Sequence, residues 1–141
     1  MKSTPVRNLV KEKSADSEKI TINLGFVDLG QIDLLVSEGF YGNRTDFIRT
    51  AIRNQLGSHA DAVKQAVARK TLVLGLQHFS ADDLRAVKAA KQRLRIRVLG
   101  LASIAHDVSP ELALATIESL DVLGALHASP AVKAALASRQ R

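Results

Sequence analysis

The stretch that decides the fold of the N-terminal half is Lys19-Ile20-Thr21-Ile22-Asn23-Leu24, in which polar and apolar side chains alternate. Alternation in β-branched residues predicts a strand with one apolar and one polar face. The apolar face consists of Ile20, Ile22 and Leu24, and the polar face of Lys19, Thr21 and Asn23. Residues 1–18 mix charged residues and serines around one short apolar patch, which predicts a flexible N-terminal arm.

Two short helices are predicted after the strand, which Gly25 closes. Apolar residues at helical spacing predict the first helix from about residue 28 to residue 38, and Gly39 is placed to end it. After a turn, Asn43 is the predicted N-cap of a second helix that runs to about Leu56. Gly57-Ser58 is predicted to stop this second helix.

A single strand with two short helices is too small to bury its own apolar side chains, and a lone strand leaves its backbone groups unpaired. The pattern therefore predicts pairing with the same strand of a second copy, in an antiparallel two-stranded ribbon over intertwined helices. The predicted core of this homodimer consists of Ile20, Ile22, Leu24, Ile32, Leu35, Phe47, Ile48 and Ile52.

Residues 19–56 resemble the ribbon-helix-helix DNA-binding proteins of the MetJ/Arc/CopG superfamily, which predicts a DNA-binding domain at residues 19–57. The resemblance rests on this strand and on the turn Gly39-Phe40-Tyr41-Gly42-Asn43-Arg44-Thr45-Asp46-Phe47-Ile48-Arg49. The resemblance implies a transcriptional regulator whose paired strands enter the major groove of double-stranded DNA. It assigns base contacts to Lys19, Thr21 and Asn23, and phosphate contacts to Asn43, Arg44 and Thr45. The chain departs from the family at Gly42, where a serine often stands, which leaves the capping of the second helix to Asn43.

The second half of the chain carries a repeat. The segment Leu72-Val73-Leu74-Gly75-Leu76 is echoed by Arg97-Val98-Leu99-Gly100-Leu101 and Asp121-Val122-Leu123-Gly124-Ala125, with glycines 25 and 24 residues apart. A serine that is typical of a helix start follows each segment, at Ser80, Ser109 and Ser129.

Residues 58–70 read as a helical connector, and residues 71–141 as three strand–helix units with a small parallel sheet. The predicted helices include Leu84, Val87 and Leu94; Leu112, Ala115 and Ile117; and Val132 and Leu136. Each glycine is expected to permit a close approach of backbone or helix. The whole chain is thus predicted to be α+β, with an N-terminal ribbon-helix-helix and a C-terminal repeat domain for oligomerisation, an effector or a partner.

The net charge of +6 and a pI near 10.0 favour an anionic partner such as nucleic acid. Residues 1–57 carry +1 and residues 58–141 carry +5. The most basic stretch, Lys88, Lys91, Arg93, Arg95 and Arg97, is interpreted as a solvated helix end, with a secondary DNA contact as the alternative. Arg49 and Arg53 are likewise interpreted as a solvated face.

Little in the sequence suggests catalysis or a cofactor. The chain has no cysteine, and no phosphate-binding loop, nucleophile elbow or zinc-protease pair is present. Asp82 and Asp83 are interpreted as first-turn acids of a helix. His78, His106 and His127 occupy matching corners of the repeat and are the weak candidates for a metal site, although no metal or cofactor is expected.

The sequence therefore predicts a DNA-binding regulator that is not an enzyme, with repression as its expected mode. An antitoxin whose C-terminal half binds a toxin, and a scaffold that does not bind DNA, remain as alternatives. No secretion signal and no apolar run of membrane-spanning length is found, so the expected location is cytoplasmic.

Overall fold

A computed structural model describes residues 17–141, and the chain divides into two compact units that meet between Ala60 and Asp61. The predicted arm, residues 1–18, lies almost entirely outside the described residues. The first unit contains α1 (Phe26–Ser37) and α2 (Arg44–Ser58), and α3 (Ala60–Lys70) follows. The second unit continues with β1 (Val73–Phe79), α4 (Ala81–Ala89), β2 (Leu94–Ile104), α5 (Pro110–Thr116), β3 (Ile117–His127), α6 (Pro130–Leu136) and a 3-10 turn (Ala137–Arg139).

Residues 19–24, the predicted strand, join no sheet within the described chain. All six are exposed in the single chain. Since a two-stranded ribbon takes its second strand from another copy, one chain cannot form it. The ribbon and the dimer remain predictions.

The first helix ends as the sequence predicts. Gly39 adopts φ +85, the Phe40 amide donates to the Leu35 carbonyl, and the Gly39 amide donates to the Val36 carbonyl. These two bonds form a Schellman motif, which satisfies the last carbonyls of a helix around a left-handed residue. The start is two residues earlier than predicted, because Gly25 serves as the N-cap of α1 instead of only closing the strand.

The second helix ends two residues later than predicted. Gly57 and Ser58 form the end of α2 instead of following it, and the break comes at His59, directly before α3. A single glycine inside a helix costs only about 1 kcal/mol relative to alanine, so it does not end a helix that other bonds continue. At the far end of α3, the Leu72 amide donates to the Val67 carbonyl and Thr71 adopts φ 56.

The second unit contains the predicted parallel sheet, in the order β1-β2-β3. The repeat glycines lie in one row across it, with Gly75 paired to Gly100 and Gly100 to Gly124. The predicted serines begin all three helices, each accepting a bond from the backbone amide three residues later. In α4 the Asp83 carboxylate also accepts from the Ser80 amide, which completes a capping box.

The glycine row explains why three glycines recur in otherwise strand-forming segments. A Cβ atom on Gly100 would overlap the carbonyl oxygen of Gly75, and a Cβ on Gly124 would overlap that of Gly100. Gly100 has φ +140 and Gly124 has φ +122, a region that side chains rarely adopt. The predicted close approach is therefore an approach of neighbouring strand backbones.

Helices cover one face of the sheet and enclose the core. Its apolar side chains come from α4, α5, α6, β2, β3 and the loop after β2. The buried set is Ala81, Leu84, Ile96, Val98, Ala102, Ile104, Val108, Ala113, Ile117, Leu120, Val132 and Leu136. At the outer edge of β3, the Arg141 amide donates to the Leu120 carbonyl, so the end of the chain covers the start of that edge.

Two residues assigned to helices belong to strands instead. Leu94 begins β2 and Ile117 begins β3, since α4 ends at Ala89 and α5 at Thr116. An apolar residue just beyond a helix fits the inner face of a strand equally well, which is why periodicity alone misplaced them.

Candidate nucleic-acid interface

The candidate interface is built from residues 19–24 and the turn between α1 and α2. The predicted base-contacting side chains, Lys19, Thr21 and Asn23, lie in the exposed segment before α1. None of them has a hydrogen-bond or ion-pair partner among residues 17–141 that the structure describes. Their polar groups are therefore accessible to a ligand.

The apolar residues that alternate with them are also uncovered. Ile20 is 75% exposed and Ile22 is 59% exposed. In the helices, Ile32 is buried, Leu35, Phe47 and Ile48 are half-buried, and Ile52 is exposed. The predicted dimer core is thus incomplete in one chain.

Further large apolar side chains of the first unit are exposed beyond those that the sequence singled out. They are Phe26, Val27, Leu34, Phe40 and Leu56. Of the described residues 17–60, only Ile32 is buried. No single periodic stripe of the sequence contains all five of these residues. The feature of the sequence that could have indicated them is the large number of apolar residues in so small a unit.

The entry to α2 has the geometry of a strong N-cap. Asn43 is extended, with φ -165 and ψ 178, and its Oδ1 accepts a 2.7 Å hydrogen bond from the Asp46 amide. In return, the Asp46 carboxylate accepts a 2.9 Å bond from the Gly42 amide. Asn43 thus caps the helix in the way predicted, and the glycine at position 42 does not weaken the start.

Among residues 17–141, the amides of Arg44 and Thr45 have no acceptor after this cap has formed. The first turn of a helix has amide groups without intrahelical acceptors, and the cap satisfies only the Asp46 amide of that turn. Such amides, together with the partial positive charge of the helix end, form a favourable position for a phosphate.

Arg44 makes a contact that the sequence did not predict. Its Nε donates to Asp33 Oδ1 at 2.7 Å, and its Nη2 donates to Asp33 Oδ2 at 2.8 Å. The Arg44 hydrogen bond lowers the pKa of the Asp33 carboxyl, and the same bond raises the pKa of Arg44. The pair links α1 to α2, and of the guanidinium only Nη1 keeps both hydrogens for a phosphate.

The turn itself is held by an aromatic contact. The Tyr41 and Phe47 rings meet edge to face, with centroids 5.0 Å apart and planes at 84°. Such pairs add about 0.5–1.5 kcal/mol beyond the area that they bury. Together with the Schellman motif, this contact fixes where α2 begins relative to α1.

The basic cluster of the second unit is a solvated helix end only in part: Lys88 lies exposed in the last turn of α4, whereas Arg95 and Arg97 lie in β2. Arg95 Nε donates to Glu118 at 2.6 Å, and Arg97 donates to the Lys70 carbonyl at 3.3 Å. Arg93 donates to the Leu114 carbonyl at 3.1 Å, near the end of α5. These three arginines link neighbouring helices and strands. Part of the positive charge of residues 58–141 therefore has a structural role.

The three histidines do not assemble into a metal site. His78 and His127 lie in strands and His106 in the loop after β2. His78 Nδ1 lies 3.1 Å from Ser103 Oγ. Within residues 17–141, no group of three potential metal ligands comes together. Within the same range, no helix is long and apolar enough to cross a membrane.

A comparison with protein families gives a match over residues 15–133 to the Ribbon-Helix-Helix transcriptional regulator family. The chain belongs to this family. The match extends well beyond the resemblance over residues 19–56 and includes all three strands of the C-terminal sheet. The family match therefore covers most of the strand–helix repeats as well as the N-terminal unit.

Membership fixes the broad class of the protein. Regulators of this family bind DNA, generally as dimers, and are in general not enzymes. Among curated proteins and among solved structures, no match to this chain was found.

Proposed function

We propose that the protein is a sequence-specific repressor that acts as a homodimer and reads the DNA major groove with a two-stranded ribbon formed by residues 19–24 of both chains. The observation that carries this proposal is the exposed apolar face of that segment, with Ile20 and Ile22 uncovered beside helices that bury only Ile32. A second copy supplies both the missing strand and the missing core.

The polar face of the ribbon suits base reading. Asn23 can pair with adenine through two hydrogen bonds, and Lys19 can donate to guanine. Thr21 offers a hydroxyl group and a methyl group, which suits thymine. In a two-fold symmetric ribbon each of these side chains occurs twice, so the expected operator consists of short repeated sites.

Phosphate contact is assigned to the entry of α2. The amides of Arg44 and Thr45 provide donors there, and Arg44 Nη1 adds a charged one while the Asp33 bond continues to orient the guanidinium. This arrangement supports positioning of the ribbon on the duplex and carries no sequence information of its own.

Repression by occlusion is the simplest mechanism for such a protein. A dimer bound over a promoter prevents polymerase from occupying the same DNA, and no catalysis or cofactor is needed. We propose the promoter of its own gene as one target.

The antitoxin alternative has less support. Toxin-binding segments of antitoxins are usually disordered until they bind, whereas the C-terminal unit has its own enclosed core of twelve apolar side chains. The scaffold alternative requires the polar face of residues 19–24 to be dispensable, which substitution of that face tests directly.

The test is to capture sheared genomic DNA from the source cells with the full-length protein at physiological salt and to sequence it. The matched variant carries Lys19→Ala, Thr21→Ala and Asn23→Ala, which change the polar face and leave Ile20, Ile22 and Leu24 intact. We expect the wild type to enrich a discrete repeated site and the variant to lose it. Equal enrichment by both proteins, or none by the wild type, would refute base reading by the ribbon.

A reporter gene under the captured site then separates repression from activation. We expect expression of the reporter to fall when the wild-type protein is present and to stay high when the triple variant is present in its place. A rise in expression would contradict repression and leave DNA recognition intact.

A further inference from the structure

The two faces of the C-terminal sheet differ in how they are covered. Helices pack on the face that carries Ile96, Val98 and Ala102. The opposite face presents two rows of side chains that pair across the strands. We call these rows the leucine face, which consists of Leu74, Leu99 and Leu123 in one row and Leu76, Leu101 and Ala125 in the other.

The leucine face is apolar and accessible. Leu74 is 71% exposed, Leu76 is 64% exposed and Leu123 is 47% exposed. Parallel sheets occur almost only where both faces are covered, because their strands are apolar on both sides. The leucine face is therefore a face of a parallel sheet that lacks the covering layer such sheets usually have.

Polar side chains border the leucine face at both ends. Arg97 and Asp121 form the next row toward the start of the strands, and the row of His78, Ser103 and His127 follows toward their ends. An apolar centre with a polar rim is the usual composition of a protein interface. Since Arg97 and Asp121 carry opposite charges, two copies of this rim meet without net like-charge repulsion.

The size of the leucine face limits what can bind there. Strands about 4.8 Å apart, with residues of one face about 6.7 Å apart, give roughly 200 Å² for two rows across three strands. A stable interface between separate proteins buries about 800 Å² per partner. This face alone is therefore too small to hold an independent partner, but it is adequate between chains that another contact already holds together.

We infer that the leucine face packs against the leucine face of a second copy of this chain, as a sheet-on-sheet contact. The inference rests on the proposed function in one respect: dimerisation through residues 19–24 supplies a second copy at high local concentration. Leucine rows on sheets about 10 Å apart interdigitate, and a two-fold contact requires only that the surface be complementary to itself.

The experiment uses the absence of cysteine in the sequence. Leu99→Cys places one thiol on the central strand, where a two-fold axis through the leucine face brings the two copies closest. The control is Asp82→Cys on α4, a position whose side chain is 92% exposed and which lies in the helical layer. Both full-length variants are treated with a short bismaleimide at equal concentration.

We expect Leu99→Cys to form covalent dimers at least tenfold faster than Asp82→Cys, although both are tethered through the same N-terminal unit. Adding Leu74→Lys and Leu76→Lys to Leu99→Cys should abolish this difference. Because both leucines are exposed in the single chain, the fold should persist, with an unchanged circular dichroism spectrum. Light scattering of the native particle should give the mass of two chains, because the leucine face is too small to join separate dimers; a mass of four chains would contradict a contact within one dimer.

The inference is wrong if Leu99→Cys cross-links no faster than the control while the protein is dimeric and binds DNA. It is also wrong if the Leu99→Cys thiol is protected from a monofunctional maleimide without cross-linking, since another part of the chain then covers the face. A monomeric protein that neither cross-links nor binds DNA refutes both this inference and the proposed function. A protein that cross-links at Leu99→Cys without binding DNA supports the contact and refutes only the function.

Discussion

The two units of the molecule reach a folded state in different ways. The first exposes most of its apolar side chains and buries Ile32 alone among residues 17–60. The second encloses twelve apolar side chains between a sheet and three helices. On the proposed function, the first unit takes the rest of its core from a partner, whereas the second has its own core and exposes chiefly the leucine face among its described residues. Breaking the partner contact should affect the first unit far more than the second.

The largest effect is expected from Ile22→Asp. Ile22 is 59% exposed in the single chain, so the substitution costs little there, but a dimer would bury two unpaired carboxylates. We expect dimerisation and DNA binding to weaken by on the order of a hundredfold or more. Light scattering and a DNA-binding titration measure this loss, and circular dichroism should show that the second unit stays folded.

Thr21→Ala is the matched control for that variant, because it changes the adjacent residue on the other face of the segment. It should retain the dimer mass while weakening DNA binding. If Ile22→Asp stays dimeric, the apolar face of residues 19–24 is not part of the dimer core, and the contrast between the two units loses its basis.

The next effect concerns the second unit and its glycine row. Gly75→Ala has open space for the new Cβ and pays only the conformational cost of φ +121, about 1–3 kcal/mol. Gly100→Ala adds an overlap with the Gly75 carbonyl, and relieving such an overlap typically costs about 1–3 kcal/mol more. Urea unfolding of both variants measures the difference. Equal stabilities would mean that the strands do not approach as closely as the structure indicates.

Much of the second unit could be predicted from its sequence because its signals are local. Ser80, Ser109 and Ser129 cap helices within three residues, and the spacing of Gly75, Gly100 and Gly124 sets the register of the sheet. The ends of the strands were less predictable. Leu94 and Ile117 are apolar, and their positions fit the inner face of a strand as well as the apolar stripe of a helix.

The candidate site was predictable only in part, for a physical reason. The Asn43 cap follows from local sequence, and the structure has it as expected. The Arg44–Asp33 pair joins residues 11 positions apart on two helices, and no periodic pattern indicates such a contact. The role of Lys19, Thr21 and Asn23 depends on a second chain and on DNA, so a single chain leaves it a prediction.

A smaller effect separates two roles of Arg44. Arg44→Gln removes the charge at the α2 entry, whereas Asp33→Asn breaks the same ion pair and keeps the guanidinium. If Arg44 contacts phosphate, Arg44→Gln should reduce the slope of log K against log salt by about 2 for a dimer, and Asp33→Asn should leave it unchanged. If both variants lose the same DNA affinity and neither changes the salt slope, Arg44 only positions α2 and does not contact phosphate.

The smallest effect is the pH dependence of stability, which also compares the two units. Hydrogen bonds from Arg44, from the Ser80 amide and from Arg95 lower the pKa values of Asp33, Asp83 and Glu118 respectively. A carboxyl whose pKa is lower in the folded state stabilises the fold fully above its unfolded pKa of about 4. That contribution is lost as the pH falls through the lower folded value, so stability should begin to decrease below about pH 5 and continue to decrease until the carboxyls are protonated in the folded state as well.

Two variants locate this decrease within the molecule. Asp83→Asn with Glu118→Gln should flatten the pH dependence of urea unfolding in the second unit and leave the dimer's DNA affinity unchanged at neutral pH. Glu111→Gln is the control, since it makes the same kind of charge change in the same unit outside both contacts. All three carboxylates are exposed and screened by solvent and salt, so the effect should shrink as ionic strength rises. A pH dependence of the second unit that survives the double variant would mean that the contacts of Asp83 and Glu118 are not its cause.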